Sequence, residues 1–145
     1  MAGSANSVRL ADLAVGDSIP SVATGPISRH MIATYAAGSG DLNPIHTDLD
    51  FARDVAGLAD VIVHGMLVMG YLARVATDVI RPEAIRRITT QFRAMTNVHD
   101  DLTCSGRVKA VSPDGTGRLV TVELAAIRSG DGSVVAAGEV DLLLP

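Results

Sequence analysis

A curved antiparallel sheet closed around one very apolar helix, an α+β architecture, is the fold class this sequence predicts. Three observations carry it. The stretch Val61–Ala76 is apolar nearly all round, the mark of a helix buried inside a domain rather than laid on its surface. Beyond Pro82 a three-to-four-residue repeat gives way to alternation, in roughly four segments separated by turn residues. With 145 residues, 48% hydrophobic but only 3% aromatic, the chain is long enough for one sizeable core, and that core must be aliphatic. A meander preceded by a single buried helix is most simply packed as a sheet wrapped over that helix.

Taken in order, residues 1–6 are small and polar and are expected to fray. The run VGDSIPSVATGPIS holds short β-capable pieces punctuated by Gly16, Pro20, Gly25 and Pro26. Ser28 is an N-cap for a helix that presents Met31, Ile32 and Tyr35 on one face and stops at Gly38 and Gly40. A second, short helix is expected from Thr47 or Asp48, with Phe51, Ala52 and Val55 as its apolar face and Gly57 as its end. The longest helix is expected within residues 61–82, with Met66, Met69, Gly70, Ala73 and Ala76–Thr77 repeating at three and four residues and Pro82 closing it. Strands follow in ITTQFRAM, LTCSGRVKAVS, GRLVTVELAAIRS and SVVAAGEVDLLL, with turns at 97–101, 113–117 and 130–132. No repeat, low-complexity tract or linker divides the chain, so residues 1–145 are expected to form one domain.

Composition excludes several classes of function. A net charge of −4 with no basic stripe gives no electrostatic reason to bind nucleic acid or an anionic membrane, and aromatic platforms for stacking bases are missing. Val61–Ala76 carries His64 and Arg74 and is too short for a membrane span. The start has no continuous apolar h-region of a secretory signal. The lone Cys104 supplies neither an internal disulfide nor a zinc framework and reads as a small buried hydrophobe. A cytoplasmic protein is the expectation, with no cofactor and no metal.

One stretch resists a purely structural reading. SGDLNPIH, residues 39–46, sets an Asp, an Asn and a His within six residues, around a Pro and next to a Gly. Gly, Asp, Asn and Pro are ordinary turn formers, so the plain reading is a solvated turn with an incidental His.

The longer segment YAAGSGDLNPIHTDLDFA resembles the signature of the MaoC-like family of (R)-specific enoyl hydratases and (3R)-hydroxyacyl dehydratases: Tyr35, Ser39, Gly40, Asp41, Asn43, Pro44, Ile45, His46 and Ala52 all match. IVHGML, residues 62–67, resembles the segment that opens the family's central helix. The likeness runs from about Val15 to the C-terminus and is greatest to the short subunits of mycolic-acid-type (3R)-hydroxyacyl-ACP dehydratases. It implies the hot dog fold, usually dimeric, and a hydro-lyase acting on trans-2-enoyl and (3R)-hydroxyacyl thioesters of CoA or ACP. The partner would be a second copy or a related hot dog subunit.

The chemistry suits these residue types. Hydration of an α,β-unsaturated thioester removes a proton from water and supplies one at C2, and a carboxylate with a neutral imidazole around one water can share both transfers. The resemblance assigns Asp41 and His46 to that task and gives Gly65, at a helix N-terminus, the enolate oxygen. Asn43 and Ser39 are expected to support the turn. His64 and Met66 are read as substrate contacts, against the plainer readings of a satisfied core His and a core Met. Ligation of a metal by Asp41, His46 and His64 is weighed and set aside for want of a second cluster. Arg86, Arg87 and Arg93 are expected near the pocket mouth. Two other functions stay in view, a subunit that needs a partner for activity and a hot dog thioesterase.

Overall fold

The computed structural model describes residues 12–145, so the expectation for residues 1–6 lies outside the described residues. Five strands form one antiparallel sheet: β1 (Ser18–Pro26), β2 (Ile85–Phe92), β3 (Asp101–Asp114), β4 (Gly117–Arg128) and β5 (Val134–Leu144), in the spatial order β1-β3-β4-β5-β2. Three helices precede β2: α1 (Arg29–Ser39), the single turn α2 (Pro44–Thr47) and the central α3 (Gly65–Thr77). Alternation sorts the sheet faces. Val120, Val122, Leu124 and Ala126 of β4 point inward onto α3, beside Leu102, Cys104 and Val108 of β3 and Val135, Val140 and Leu142 of β5. The helix answers with Val68, Leu72, Val75 and Ala76. Irregularities between Val108 and Ala110, Ala126 and Ile127, and Ile85 and Arg87 interrupt the ladders, and such bulges increase local twist and bend a strand. At Gly106 the sheet lies close against the helix: a Cβ there would lie 2.9 Å from Val75 Cγ1 and 3.0 Å from Val122 Cγ1.

The first helix follows its sequence cues. Ser28 Oγ accepts from the Met31 N–H, and Gly40 ends α1 with φ +76°, a left-handed conformation that glycine adopts without a Cβ clash. Three expectations need correction. The four C-terminal strands are not a simple meander: β3, β4 and β5 are, but β2 lies on the far side of β5, and β1 takes the edge beside β3. Residues 61–64 are extended rather than helical. Ile62 bridges to Asn97 and the Val63 N–H donates to the Thr96 carbonyl, so this β-branched run pairs with the β2–β3 connection before the helix begins. The second short helix does begin after Asp48, but it runs on as a π-turn over Phe51–Val55, and an additional single turn, α2, opened by Asn43 and Pro44, precedes it. Asp48 Oδ1 does accept from the Phe51 N–H and Ala52 is buried, but Val55 is 69% exposed, because the wider turn rotates it off the core.

The outward side of α3 also differs from expectation. Met66, Gly70 and Arg74 form an exposed stripe, flanked by half-buried Met69 and Ala73. Of the repeat read from the sequence, Met66, Met69, Gly70 and Ala73 thus lie on the side turned away from the sheet, while Ala76 is buried.

Candidate active site

Asp41, His46 and His64 meet at the N-terminal end of α3, and one ligand atom from each lies within 4.8 Å of the others. Three local devices bring them there. Ser39 Oγ accepts from the Asp41 N–H (3.2 Å) and Asp41 Oδ1 from the Asn43 N–H (3.3 Å), two successive side-chain turns that reverse the chain after α1. Asn43 Oδ1 then accepts from the Ile45 N–H (3.1 Å) and caps α2, whose first residue is Pro44. That single turn lifts His46 towards the start of α3. Ser39 and Asn43 therefore sit in the turn, as read from the sequence, though both are exposed rather than packed beneath it.

The two imidazoles stack, with ring centroids 3.8 Å apart and planes inclined by 24°. His46 Nδ1 lies 2.8 Å from the Ile62 carbonyl oxygen. A carbonyl oxygen only accepts, so Nδ1 carries the proton and Nε2 keeps its lone pair, free to act as a base. His64 Nε2 lies 3.2 Å from the Asp41 carbonyl oxygen, which places its proton on Nε2 by the same reasoning. His64 is 1% exposed and Tyr35 meets it edge-on, with centroids 4.9 Å apart. Burial lowers the His64 pKa from its ordinary value; the bond to the Asp41 carbonyl opposes the shift, and the neighbouring His46 adds to it. Asp41 is exposed and His46 half-buried, so the pair that faces solvent is the pair that resembles catalytic residues.

Gly65 is the first residue of α3, and its N–H and that of Met66 have no acceptor within the helix, an arrangement that suits a developing negative charge. A Cβ on Gly65 would come within 3.3 Å of the Phe92 ring, so glycine leaves room between the helix start and the end of β2. Met66 is 53% exposed beside this opening, with Phe92 50% and Met95 57% exposed nearby in the chain. Met66 is therefore not core.

Sequence reasoning did not find Phe92 or the Ile62 carbonyl. A backbone carbonyl carries no residue signature, and Phe92 enters only because β2 runs to the far edge of the sheet. The arginines expected at the mouth go elsewhere. Arg86 donates to the Glu83 carbonyl, Arg87 pairs with Asp141, and Arg93 joins Thr89 and Gln91 in a groove on the outer face of the sheet.

The same cluster is a poor chelate. Ring-nitrogen lone pairs lie in the ring plane, so in two nearly parallel stacked imidazoles they run side by side rather than converge on one ion, as a tetrahedral site requires. Cys104, the lone thiol, is buried and its pKa is pushed up to about 11 by burial, which keeps it unreactive. Among the described residues no helix is long and apolar enough to cross a membrane.

Known proteins resemble this chain in sequence and in fold. The chain is 30% identical over 135 residues to a mitochondrial 3-hydroxyacyl-[acyl-carrier-protein] dehydratase of Arabidopsis thaliana, covering 92% of this chain and 78% of that protein. It is 33% identical over 114 residues to the fatty acid synthase subunit beta of Aspergillus oryzae, 76% of this chain but 5% of that much longer protein. The unliganded R-hydratase PhaJ1 of Pseudomonas aeruginosa superposes with a TM-score of 0.80 at 27% identity, over 93% of this chain and 84% of its own. The hot dog expectation agrees with that superposition and with the five-stranded sheet packed on α3. The family model for the MaoC like domain matches residues 12–129, a span that holds Asp41, His46, His64, Gly65 and four of the five strands, and the chain belongs to the MaoC-like domain family.

Proposed function

We propose that the chain is a hydro-lyase that interconverts trans-2-enoyl and (3R)-hydroxyacyl thioesters in fatty-acid metabolism. One observation carries the reading: a base with its lone pair set free by the Ile62 carbonyl, His46, meets the Asp41 carboxylate directly in front of the open N-terminus of α3. A water held between His46 Nε2 and Asp41 adds through oxygen to C3 of the enoyl group. The pair takes up its proton and returns one to C2, and the thioester oxygen, which carries the enolate charge in between, faces the Gly65 N–H. Dehydration runs through the same groups in reverse. The site needs no cofactor for this. CoA and acyl carrier protein present the same thioester arm, and the reading holds for either carrier.

Residues 1–145 act as one domain in this reading, and a reducing, cytoplasmic setting fits the single free thiol. The active form is a dimer. In the single chain β1 and β2 are open sheet edges, Leu42, Val55, Met66, Phe92 and Met95 are each at least half exposed, and Gly70 is exposed further along α3. The partner is a second copy or a related hot dog subunit. The same surface favours the second reading, a chain inactive until a different subunit covers it.

Crotonyl-CoA and a longer enoyl-CoA, with the mass in solution measured alongside, test this. Loss of enoyl absorbance without thiol release is the expected result. Thiol release would make the chain a thioesterase. Silence until a related subunit is added would make it one half of a heteromer. A fully active species near 15 kDa would overturn the dimer.

A further inference from the structure

His64 is not needed for either proton transfer, yet it is the most buried polar side chain of the site and touches both members of the pair. Its ring lies 3.8 Å from the His46 ring, its Nε2 lies 3.2 Å from the Asp41 carbonyl oxygen, and its edge-on contact with Tyr35 ties it to α1. It is also the residue before Gly65, the cap position of α3, where no side-chain capping bond is made. A residue at that position usually turns its side chain back to the helix N–H groups. His64 instead turns away from them and leaves the Gly65 and Met66 N–H groups open.

We propose that His64 is the positioning residue of this site: its ring fixes the plane of His46 by stacking, while its Nε2–H holds the Asp41 backbone, so that one rigid side chain anchored on α3 sets the distance between base and carboxylate. The proposal rests on the hydratase reading for its catalytic meaning but not for its geometry. Nδ1 of His64 is buried with no hydrogen-bond partner among the described residues. Protonating it would add a second donor and a positive charge where no acceptor waits, so the ring is confined to the neutral Nε2–H form. The groups that face it are the Asp41 carboxylate, which favours charging, and the His46 ring, which opposes it, with the Tyr35 ring against its edge; desolvation outweighs the carboxylate. A neutral clamp suits the task. It stays put while His46 gains and loses its proton, and it adds no charge that would weaken His46 as a base. Tyr35 thereby acquires a role at one remove, as the stop on the far side of the clamp.

Two measurements test the clamp. Long-range proton–nitrogen correlation spectra of the 15N-labelled wild-type chain report the tautomer of each imidazole, without any variant and whether or not activity is found. Between about pH 5 and 8, His64 is expected to remain neutral with its proton on Nε2, while neutral His46 carries its proton on Nδ1. Titration of His64 in that range, or a proton on its Nδ1, overturns the proposal. The second measurement separates the two contacts. His64→Phe keeps a ring over His46 and loses the donor to Asp41; His64→Gln keeps a donor near the Nε2 position and loses the ring. Both are expected to lower kcat by about 10–100-fold, the cost of misplacing reacting groups, with KM within about twofold and the acid limb of kcat/KM retained. The His46 tautomer should become mixed in His64→Gln and stay fixed in His64→Phe. Near-wild-type kcat in both variants, or disappearance of the acid limb in His64→Phe, overturns the proposal, the latter by making His64 the base. If the wild-type chain hydrates no enoyl thioester, the hydratase reading falls and the spectra of the wild type alone decide the clamp. The same spectra decide it if neither variant folds.

Discussion

Replacing the Asp41 carboxylate by an amide and the His46 imidazole by a carboxamide tests the reaction at its centre. Asp41→Asn leaves an oxygen to accept the Asn43 N–H, the one hydrogen bond the Asp41 side chain makes among the described residues, and the residue is exposed, so stability should change by less than about 1 kcal/mol. His46→Gln loses the bond from Nδ1 to the Ile62 carbonyl, which costs about 0.5–1.5 kcal/mol. Neither is large enough to unfold a domain of this size. The kinetic cost is of another order. A positioned acid–base group contributes about 10²–10⁴-fold, or about 3–5 kcal/mol of barrier. Because the two groups lie within 4.8 Å and act on one water, removing the second after the first removes little more. The double variant should therefore fall about as far as the slower single variant, whereas independent action would compound the losses to about 10⁴–10⁸-fold. The assay is enoyl-CoA hydration at saturating and limiting substrate, with thermal melts on the same samples. A single variant near the wild-type rate removes that residue from the mechanism. A multiplicative double removes the shared water.

Asn43→Ala deletes the cap on α2 and should cost about 1 kcal/mol with a fall in kcat, because His46 rides on that turn; unchanged melting and unchanged kinetics together would refute the supporting role. Gly106→Ala forces a methyl to within 2.9 Å of Val75 and 3.0 Å of Val122 and should destabilise by about 1–3 kcal/mol, a drop of about 3–10 °C in melting temperature; an unchanged melt would mean that α3 is not held this close to the sheet. Stability should also depend on pH through His64. Its folded pKa lies below the unfolded value near 6.5, so below that pH the unfolded chain binds more protons, and the contribution present above pH 6.5 is lost as pH falls towards the folded pKa. Denaturant melts of His64→Phe should lack that part of the slope; an identical pH dependence in the variant would refute the assignment.

Much of this molecule was legible where the physics is local. The Ser28 cap, the Gly40 stop and the turns at 113–117 and 130–132 depend on residues a few positions apart, and each stands where its chemistry demands. The alternation of β4 sorted its faces: Leu119, Thr121, Glu123 and Ala125 turn outward, Val120, Val122, Leu124 and Ala126 inward. The proximity of Asp41 and His46 was legible for the same reason, since a short turn with side-chain caps keeps neighbours together. What stayed hidden was non-local. Nothing in ITTQFRAM says that it will pair with β5 rather than with the strand after it, because pairing order is a property of the whole sheet and not of one segment. The extended Ile62–Val63 run depends on partners more than thirty residues away, Thr96 and Asn97, and a propensity reading merges it with the helix that follows.

The face of α3 was misjudged for a different reason. In a helix with apolar residues at almost every position few residues mark the outward side, and Arg74, the one charge within α3, is the mark that the spacing of Met, Gly and Ala obscured. Size decides it as well. The sheet comes within van der Waals contact at Gly106, and the positions facing it must supply branched bulk to fill the space; Val68, Leu72 and Val75 do so and are at most 2% exposed. Apart from the buried Ala76, the small and flexible residues Met66, Met69, Gly70 and Ala73 are left on the opposite side, exposed or half-buried. A monomer has no use for an apolar side on its central helix, whereas a second subunit packs closely against Gly and Ala and adapts to Met. We propose that this side of α3 is the surface where the dimer forms; it begins at Met66, one residue from the N–H proposed to hold the thioester oxygen. Gly70→Glu puts a charge in the middle of that surface without touching Asp41, His46 or Gly65. It should yield a folded monomer near 15 kDa by light scattering, with activity restored at higher protein concentration if the contact is only weakened. A dimer of unchanged affinity would place the interface elsewhere.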